Sequence, residues 1–308
     1  MMKKNVVVSI VSVVVLIVVV LVLDNAKIFQ GEKHPANGLS GMSDGILDLP
    51  SNVKKQSLQD LIDILNYPLK EGASIPRIEV SRLPEVYKDI ENTKHRKAMF
   101  MRILLPLVLL ENENLERVRN RMNSLLAKIE QGRELTYGQL TELNSLAQRY
   151  RVKGNPLTSS EARKMLRKRV DVVPPSLAIA QAANESGWGS SRFAMEASNL
   201  FGIWTFNKNQ GVVPDKRDNG KKHLIRKFDS LRDSVRVYMH TLNTHQAYTE
   251  LREIRSYMKE SGMNPNGLVI AEGLKKYSGI GEEYVKLIQE IISINNLEYL
   301  NLARLQTV

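Results

Sequence analysis

The chain has 308 residues, of which 43% are hydrophobic and 25% are charged, and its formal net charge is +11. This length can bury a substantial core and accommodates one or two domains. The excess of positive charge indicates an anionic environment such as nucleic acid, a membrane surface or an acidic polymer, although it can also serve solubility alone. The chain contains no cysteine, which excludes disulfides, a thiol nucleophile and a Cys-ligated metal.

Residues 1–25 predict a membrane anchor. Lys3 and Lys4 precede Val6–Leu23, a run that contains only Val, Leu, Ile and two Ser. This run just suffices to cross the hydrocarbon core, which takes about 20 apolar residues. It is longer than the usual signal h-region and no small-residue cleavage site follows, so an uncleaved transmembrane helix is favoured over a cleaved signal. The two lysines should stay cytoplasmic, which places the rest of the chain outside.

The remainder is expected to form a tether followed by a helical body. Residues 26–86 combine an aperiodic stretch rich in Gly, Pro and Ser with an extended segment, Ile75–Leu83, which should pack across the body. From residue 87 to about residue 300, apolar residues recur at helical spacing. The run Ala98–Leu110 is too short to cross a membrane and contains an arginine and a proline, so it predicts a buried core helix.

Local signals predict where helices begin and where a small lobe interrupts them. Thr136 with Gln139, and Thr158 with Glu161, have the spacing of a capping box, which marks a helix start. Residues 202–228 contain short alternating runs and an Asn-Gly pair, which predict a small β-hairpin lobe. The expected fold class is therefore mainly α: a helical domain with a small β-hairpin lobe, preceded by the transmembrane helix.

One helix end carries the residues most suited to catalysis. Pro174-Pro175 predicts the start of a helix and Gly187 predicts its end. Gln181 and Glu185 lie four residues apart and share a face of that helix. A carboxyl group near a helix C-terminus faces the negative end of the dipole and partial desolvation, and both raise its pKa. A protonated carboxylic acid is what glycoside cleavage requires, whereas the alternative is a Glu that caps nearby backbone amides.

Three motifs resemble the bacterial endo-β-N-acetylglucosaminidase (peptidoglycan glucosaminidase) family. Ala180–Gly189 reads AQAANESGWG, Ser198–Ile203 reads SNLFGI, and Tyr277–Tyr284 reads YSGIGEEY, which is similar to the family's C-terminal tyrosine motif. The resemblance covers about residues 170–295. Upstream, the sequence also resembles an envelope member of this group at Ile78–Pro84 and Leu104–Leu109.

The resemblance implies a lysozyme-like fold for residues 87–300 and cleavage of the β-1,4 bond after N-acetylglucosamine in peptidoglycan. Glu185 matches the general acid of the family, and Tyr277 matches the tyrosine that lines the cleft and supports catalysis. We expect Gln181 and Asn199 to bind substrate. The aromatic side chains of Trp188 and Phe201 are interpreted as packing rather than as sugar platforms.

The second carboxylate of the family is the point where this sequence departs from the pattern. Many members have a glutamate in the β lobe, but residues 204–228 contain no Glu. Asp215 is the candidate for a second catalytic carboxylate and Asp218 for substrate binding, while the alternative for both is a solvated turn. Without such a partner, the N-acetyl group of the substrate could replace the nucleophile.

Other site types and functions have less support. The five histidines are dispersed, and no His-Glu-x-x-His pattern occurs, so neither a metal site nor a cofactor is expected. The basic run 163–169 is either a solvated helix face or a contact for anionic wall polymer. Nucleic acid is not an expected partner because no recognisable binding module is present.

The expected protein is thus a single-pass bacterial inner-membrane enzyme with a periplasmic catalytic domain, whose partners are peptidoglycan and the membrane. Two alternatives stay open. One is a lytic transglycosylase, since those enzymes also use a Glu-Ser pair at a helix end. The other is a wall-binding or scaffold protein that has the same fold and little catalytic activity.

Overall fold

The computed structural model describes residues 47–49, 58–213 and 224–307. The helices of this part are α1 (Leu58–Ile64), α2 (Thr93–Glu130), α3 (Tyr137–Arg149), α4 (Ser160–Arg169), α5 (Pro175–Ser186), α6 (Arg192–Ala197), α7 (Leu231–Thr244), α8 (Thr249–Glu260), α9 (Gly267–Ile270) and α10 (Glu282–Ile294). The strands are β1 (Leu47–Leu49), β2 (Ser74–Ile75), β3 (Ile78–Val80), β4 (Trp204–Thr205), β5 (Gly211–Val212), β6 (Leu224–Arg226) and β7 (Arg304–Leu305). The prediction of a mainly α fold is confirmed.

The predicted membrane anchor, residues 1–25, lies outside the described residues. Within the described ranges, no helix combines the length and the apolar character needed to cross a membrane. The longest of them, α2, has 38 residues and carries several charged side chains along its length.

Helix α2 runs through the hydrophobic core. Its segment Ala98–Leu110 is largely buried, which confirms the predicted core helix, but the helix continues without a break through Pro106 to Glu130. Proline has no backbone N–H, so the carbonyl of Arg102, four residues earlier, loses its helical donor. Tyr67 supplies the missing hydrogen bond, because its hydroxyl donates to the Arg102 carbonyl oxygen at 2.5 Å.

Removing this donor should destabilise the protein measurably. We expect Tyr67→Phe to lower the free energy of unfolding by about 1–3 kcal/mol, because a partly buried carbonyl is left without a partner. In a Pro106→Ala background the cost should shrink, since residue 106 then has an N–H for the same carbonyl. Denaturant unfolding of the four proteins in this double-mutant cycle measures the coupling. Equal costs in both backgrounds would contradict the role given to Tyr67.

The two predicted capping boxes have different outcomes. At α3, the Thr136 side chain accepts from the Gln139 N–H and the Gln139 side chain accepts in return from the Thr136 N–H, which confirms the first. At α4, the second prediction is wrong by one residue. The N-cap is Ser159, whose hydroxyl accepts from the Ala162 N–H at 3.2 Å, whereas the N–H of Thr158 bonds to Asn155 in the preceding turn.

The extended segment before the helical body packs into the same hydrophobic core. Strand β2 pairs in parallel with β7 at the other end of the chain, and β3 pairs in parallel with β1. Ile75, Ile78 and Val80 are each at most 5% exposed, as expected for a segment that packs across the body. The hydrophobic core therefore continues across residue 86, where the sequence predicts the boundary between the extended segment and the helical body.

Helix α5 lies at the centre of the body and leads to the β lobe. It packs against α2, α10 and the 3-10 helix Leu297–Leu302. Its small residues allow this close packing, and Leu177 to Ala183 are almost completely buried. After α6 the chain forms an antiparallel sheet in the order β4-β6-β5, which confirms the predicted lobe in its described part.

Four of the five basic side chains in the run on α4 are paired with acidic side chains of the same chain. Glu130 binds Arg167 at 2.9 Å and Arg163 at 3.5 Å. Lys168 binds Glu253, and Lys164 binds Glu161 at 3.1 Å. These ion pairs agree with a surface face of the helix, whereas a contact of residues 163–169 with anionic wall polymer stays a prediction.

Candidate active site

Glu185 stands in the last turn of α5, where the helix gives way to a left-handed turn. The helix ends at Gly187, whose φ of +58° is a conformation that glycine adopts without steric cost. Most of the helix is buried, but Glu185 keeps a partly exposed surface. A helix that is otherwise inside the protein thus presents one carboxyl group at its end.

The two oxygens of the Glu185 carboxyl group have different surroundings. Oε1 accepts a hydrogen bond from the Tyr284 hydroxyl at 2.9 Å and another from the Asn184 amide at 3.1 Å. Among the described residues, no donor is bonded to Oε2. This second oxygen lies towards Gly202, where a Cβ atom would be 3.5 Å from it. Oε2 is therefore the oxygen of this carboxyl group that is left without a donor in the described part of the chain.

A chain of hydrogen bonds behind Glu185 holds Oε1 in place. The Tyr238 hydroxyl donates to the Gln181 carbonyl oxygen at 2.7 Å, and the Gln181 amide donates to the Tyr284 hydroxyl at 3.1 Å. Because the Tyr284 hydroxyl accepts from Gln181, its own hydrogen is directed at Glu185. Every donor in the chain thus points towards the carboxyl group, and the side chains of Gln181, Tyr238 and Tyr284 are all buried.

Aromatic rings line the same region. Tyr277 stacks on Tyr284 with ring centroids 5.0 Å apart, and Phe201 stacks on Tyr238 at 3.9 Å. The Tyr277 hydroxyl donates to the Phe201 carbonyl oxygen at 3.3 Å, which ties the two predicted motifs together. Tyr277 keeps a partly exposed surface, whereas Tyr284 is buried. Burial, followed by the negative charge of Glu185, raises the pKa of both hydroxyls, so they remain protonated donors.

The environment raises the pKa of Glu185 above its ordinary value of 4.5. Burial is the largest cause, since it disfavours the charged carboxylate, while the hydrogen bonds from Tyr284 and Asn184 lower the pKa and only partly oppose it. The direction is the one expected for a general acid, which must hold its proton until the leaving group takes it.

A raised pKa also has a consequence for stability. When folding raises the pKa of a carboxyl group, protonation of that group stabilises the folded state. This stabilisation is complete below the unfolded-state pKa and is lost as pH rises through the folded-state pKa. Glu185→Gln cannot ionise, so the variant should be more heat-stable than the wild type at neutral pH, and the difference should shrink towards pH 4. Thermal unfolding across this pH range tests the sign. A difference that grows as pH falls would contradict it, and the exposed Glu161→Gln serves as the control.

Three further residues of the motifs have structural roles. Ser186 is fully buried, and its hydroxyl donates to the Ala182 carbonyl at 2.6 Å and accepts from the Gly189 N–H at 2.8 Å. Trp188 and Phe201 pack against the hydrophobic core, which confirms that these aromatic side chains serve packing.

Gln181 and Asn199, the two described residues predicted to bind substrate, are both buried. Gln181 is 0% exposed and sits behind Glu185. Asn199 is 2% exposed, its amide donates to the Ile203 and Arg226 carbonyls, and its oxygen accepts from the Ile203 N–H. The sequence predicts that both bind substrate, and this stays a prediction. In the structure, Gln181 joins Tyr238 to Tyr284 behind Glu185, and Asn199 joins the loop to the β lobe.

Two further residues were predicted for the site from the sequence, and two tyrosines of the site were not. Asp215 and Asp218 lie outside the described residues. Sequence reasoning did not single out Tyr284 and Tyr238, which complete the hydrogen-bond chain to Glu185. Tyr284 closes the tyrosine motif, seven residues after Tyr277, so its place in that motif was the available signal. For Tyr238 the available signal was helical spacing alone, which predicts a side chain on an apolar face but no hydrogen-bond partner.

Comparison with known proteins agrees with this geometry. The family model described as Glucosaminidase: Mannosyl-glycoprotein endo-beta-N-acetylglucosaminidase matches residues 160–297, which include Glu185 and its hydrogen-bond chain. The chain is 32% identical to Protein bax of Escherichia coli (strain K12) over 204 residues, which are 66% of this chain and 71% of that protein. It is 36% identical to the exo-glucosaminidase LytG of Bacillus subtilis (strain 168) over 77 residues, 22% of this chain and 27% of that protein. No solved structure matches the chain significantly.

Proposed function

Because this chain belongs to the glucosaminidase family and is related to protein bax, we propose that it is a glycoside hydrolase acting on peptidoglycan. In this proposal it is an endo-β-N-acetylglucosaminidase with a lysozyme-like fold, which cleaves the β-1,4 bond after N-acetylglucosamine, and Glu185 is the general acid. The observation that supports it most is the asymmetry of the Glu185 carboxyl group. One oxygen is held by Tyr284 and Asn184, and the other has no partner among the described residues.

In the proposed reaction, the proton on Oε2 of Glu185 passes to the glycosidic oxygen as the bond from that oxygen to the sugar C1 breaks. Positive charge then develops at the sugar ring. A water molecule adds its hydroxyl to C1, and its remaining proton restores the acid for the next turnover. The partly exposed ring of Tyr277, stacked on Tyr284, would line the cleft on the acid side.

Two different groups could stabilise the positive charge on the sugar in this proposal. Asp215 could supply a second carboxylate, with Asp218 contacting the substrate, but both lie outside the described residues. Otherwise the N-acetyl group of the substrate takes that part. Replacing each aspartate by Asn distinguishes the two possibilities, since only the first predicts a large loss of kcat for Asp215→Asn.

The cellular setting is also part of the proposal. The apolar run Val6–Leu23, preceded by two lysines, would hold the protein in a bacterial inner membrane with the catalytic domain on the periplasmic side. The segment that follows the run would tether that domain within reach of the wall. Fractionation of cells, followed by protease accessibility of the body in spheroplasts, tests this placement.

Analysis of the digestion products tests the activity itself. The full chain, purified in detergent, is incubated with peptidoglycan and the released fragments are identified by mass spectrometry. Reducing N-acetylglucosamine ends support the proposal. Ends of the 1,6-anhydro type would make the protein a lytic transglycosylase, and no release would favour a wall-binding scaffold. Because LytG is named an exo-glucosaminidase, fragment length should also be measured: long fragments indicate endo cleavage and single disaccharides indicate exo cleavage.

A further inference from the structure

The turn that follows the helix of Glu185 has an unusual backbone. Gly187, Trp188 and Gly189 have φ values of +58°, +56° and +78°, so three successive residues are left-handed. Glycine adopts this conformation freely, but a bulky residue such as tryptophan does so only when its surroundings hold it there. The turn is tied back to α5, because the Trp188 N–H bonds to the Ala183 carbonyl at 2.9 Å. The position of the turn and the position of Glu185 are therefore linked.

A hydrogen bond from an upstream segment holds this turn. The Tyr87 hydroxyl donates to the Trp188 carbonyl oxygen at 2.7 Å. The same hydroxyl is 3.3 Å from the Arg96 carbonyl, but its single hydrogen can serve only one strong bond, and the shorter contact is the one to Trp188. Tyr87 is 1% exposed, and burial raises the pKa of its hydroxyl, which keeps it a donor.

Packing from the same segment reinforces the hydrogen bond. The Phe100 ring meets the Trp188 ring edge to face at 5.7 Å, and the Lys97 ammonium lies 4.9 Å from the centre of the Trp188 ring. At Gly189, a Cβ atom would be only 3.1 Å from carbons of both Phe100 and Tyr87. The turn is thus enclosed by side chains that come from well before the residues matched by the family model, which begin at residue 160.

We propose that residues 83–100, here called the brace, are a working part of the active site, with Tyr87 as a positioning residue for Glu185. By holding the left-handed turn at Trp188, the brace sets where the last turn of α5 places its carboxyl group. The catalytic region of this chain therefore extends upstream of its family domain. The activity test of this inference rests on the proposed function, whereas a second measurement, of the Trp188 side chain itself, does not.

The activity test compares two buried tyrosines that make the same kind of bond. In the full chain, Tyr87→Phe removes the donor to the Trp188 carbonyl, and Tyr67→Phe removes the donor to the Arg102 carbonyl. Both should lower Tm by a few degrees, about 2–4 °C per kcal/mol lost in a chain of this size. Only Tyr87→Phe should lower kcat on peptidoglycan, by about tenfold with KM little changed, because a small misplacement of a catalytic group is costly. Equal kcat values for the two variants would overturn the proposal.

The second measurement needs no catalysis. The chain has two tryptophans, so Trp204→Phe leaves Trp188 as the sole reporter of the turn. In that background, Tyr87→Phe should shift the emission maximum of Trp188 and the long-wavelength edge of the near-ultraviolet circular dichroism, to which tyrosine does not contribute, while Tyr67→Phe should leave both unchanged. If the wild type digests no peptidoglycan, the proposed function fails and this shift still decides whether the brace holds the turn. An unchanged Trp188 signal in Tyr87→Phe would overturn the proposal that the brace holds the turn.

Discussion

Replacing Glu185 with Gln is expected to lower kcat for peptidoglycan digestion by about 10²–10⁴-fold, the usual contribution of a general acid. The amide is isosteric with the carboxyl group and can still accept the hydrogen bonds that Tyr284 and Asn184 donate to Oε1. It cannot release a proton to the leaving sugar. The loss should therefore fall on the chemical step, with little change in KM and with the fold intact.

The measurement is the rate of release of reducing ends, with circular dichroism to confirm folding. Glu161→Gln is the matched control, because it makes the same chemical change at an exposed position of α4 inside the family-matched region. It should retain the wild-type rate. Equal digestion by Glu185→Gln and the wild type would remove Glu185 from the role of acid and leave the alternative of a residue that caps the helix end.

Tyr284→Phe is expected to shift the pH profile upwards and to lower kcat by about tenfold. The hydrogen bond from the Tyr284 hydroxyl stabilises the ionised carboxylate and so lowers the pKa of Glu185, against the larger effect of burial. Without it, the pKa of Glu185 should rise further, and the alkaline limb of kcat/KM, which reports the acid of the free enzyme, should move to higher pH. The lower kcat follows because Oε1 loses a donor and can then compete with Oε2 for the proton.

The control for this prediction is another buried phenol that lies away from the acid. Tyr150 is 5% exposed and packs edge-on to His240 at 5.4 Å, so Tyr150→Phe should leave the pH profile in place. The profiles of the three proteins are compared over the range in which all remain folded. A downward shift, or no shift, in Tyr284→Phe would show that its hydroxyl does not act on the carboxyl group of Glu185.

Much of the fold was predictable because its signals are local. The pairing of Thr136 with Gln139, the end of α5 at Gly187 and the small lobe after residue 202 depend on residues close in the chain, and each was found where the pattern indicated. The prediction failed by one residue at Thr158, because Ser159 can cap equally well and the preceding turn, through Asn155, decides between them. A proline inside a helix removes a backbone donor, yet α2 continues through Pro106 because Tyr67 donates instead to the Arg102 carbonyl, 35 residues along the chain from Tyr67.

For the candidate site, residues close in the chain were enough to place the carboxyl group of Glu185 at a helix end, because small residues and glycines in one segment predict burial and chain reversal there. The resemblance to the family implied its role as the acid. The packing of distant segments determines which oxygen of Glu185 has no donor among the described residues and which side chains hold the other. Tyr284 lies 99 residues from Glu185, and Tyr238 lies 57 residues from Gln181. Helical periodicity predicts that such side chains face the core, but it cannot predict which hydroxyl meets which acceptor. That depends on how α5, α7 and α10 pack together, and so does the bond from Tyr87 that holds the turn beside the acid.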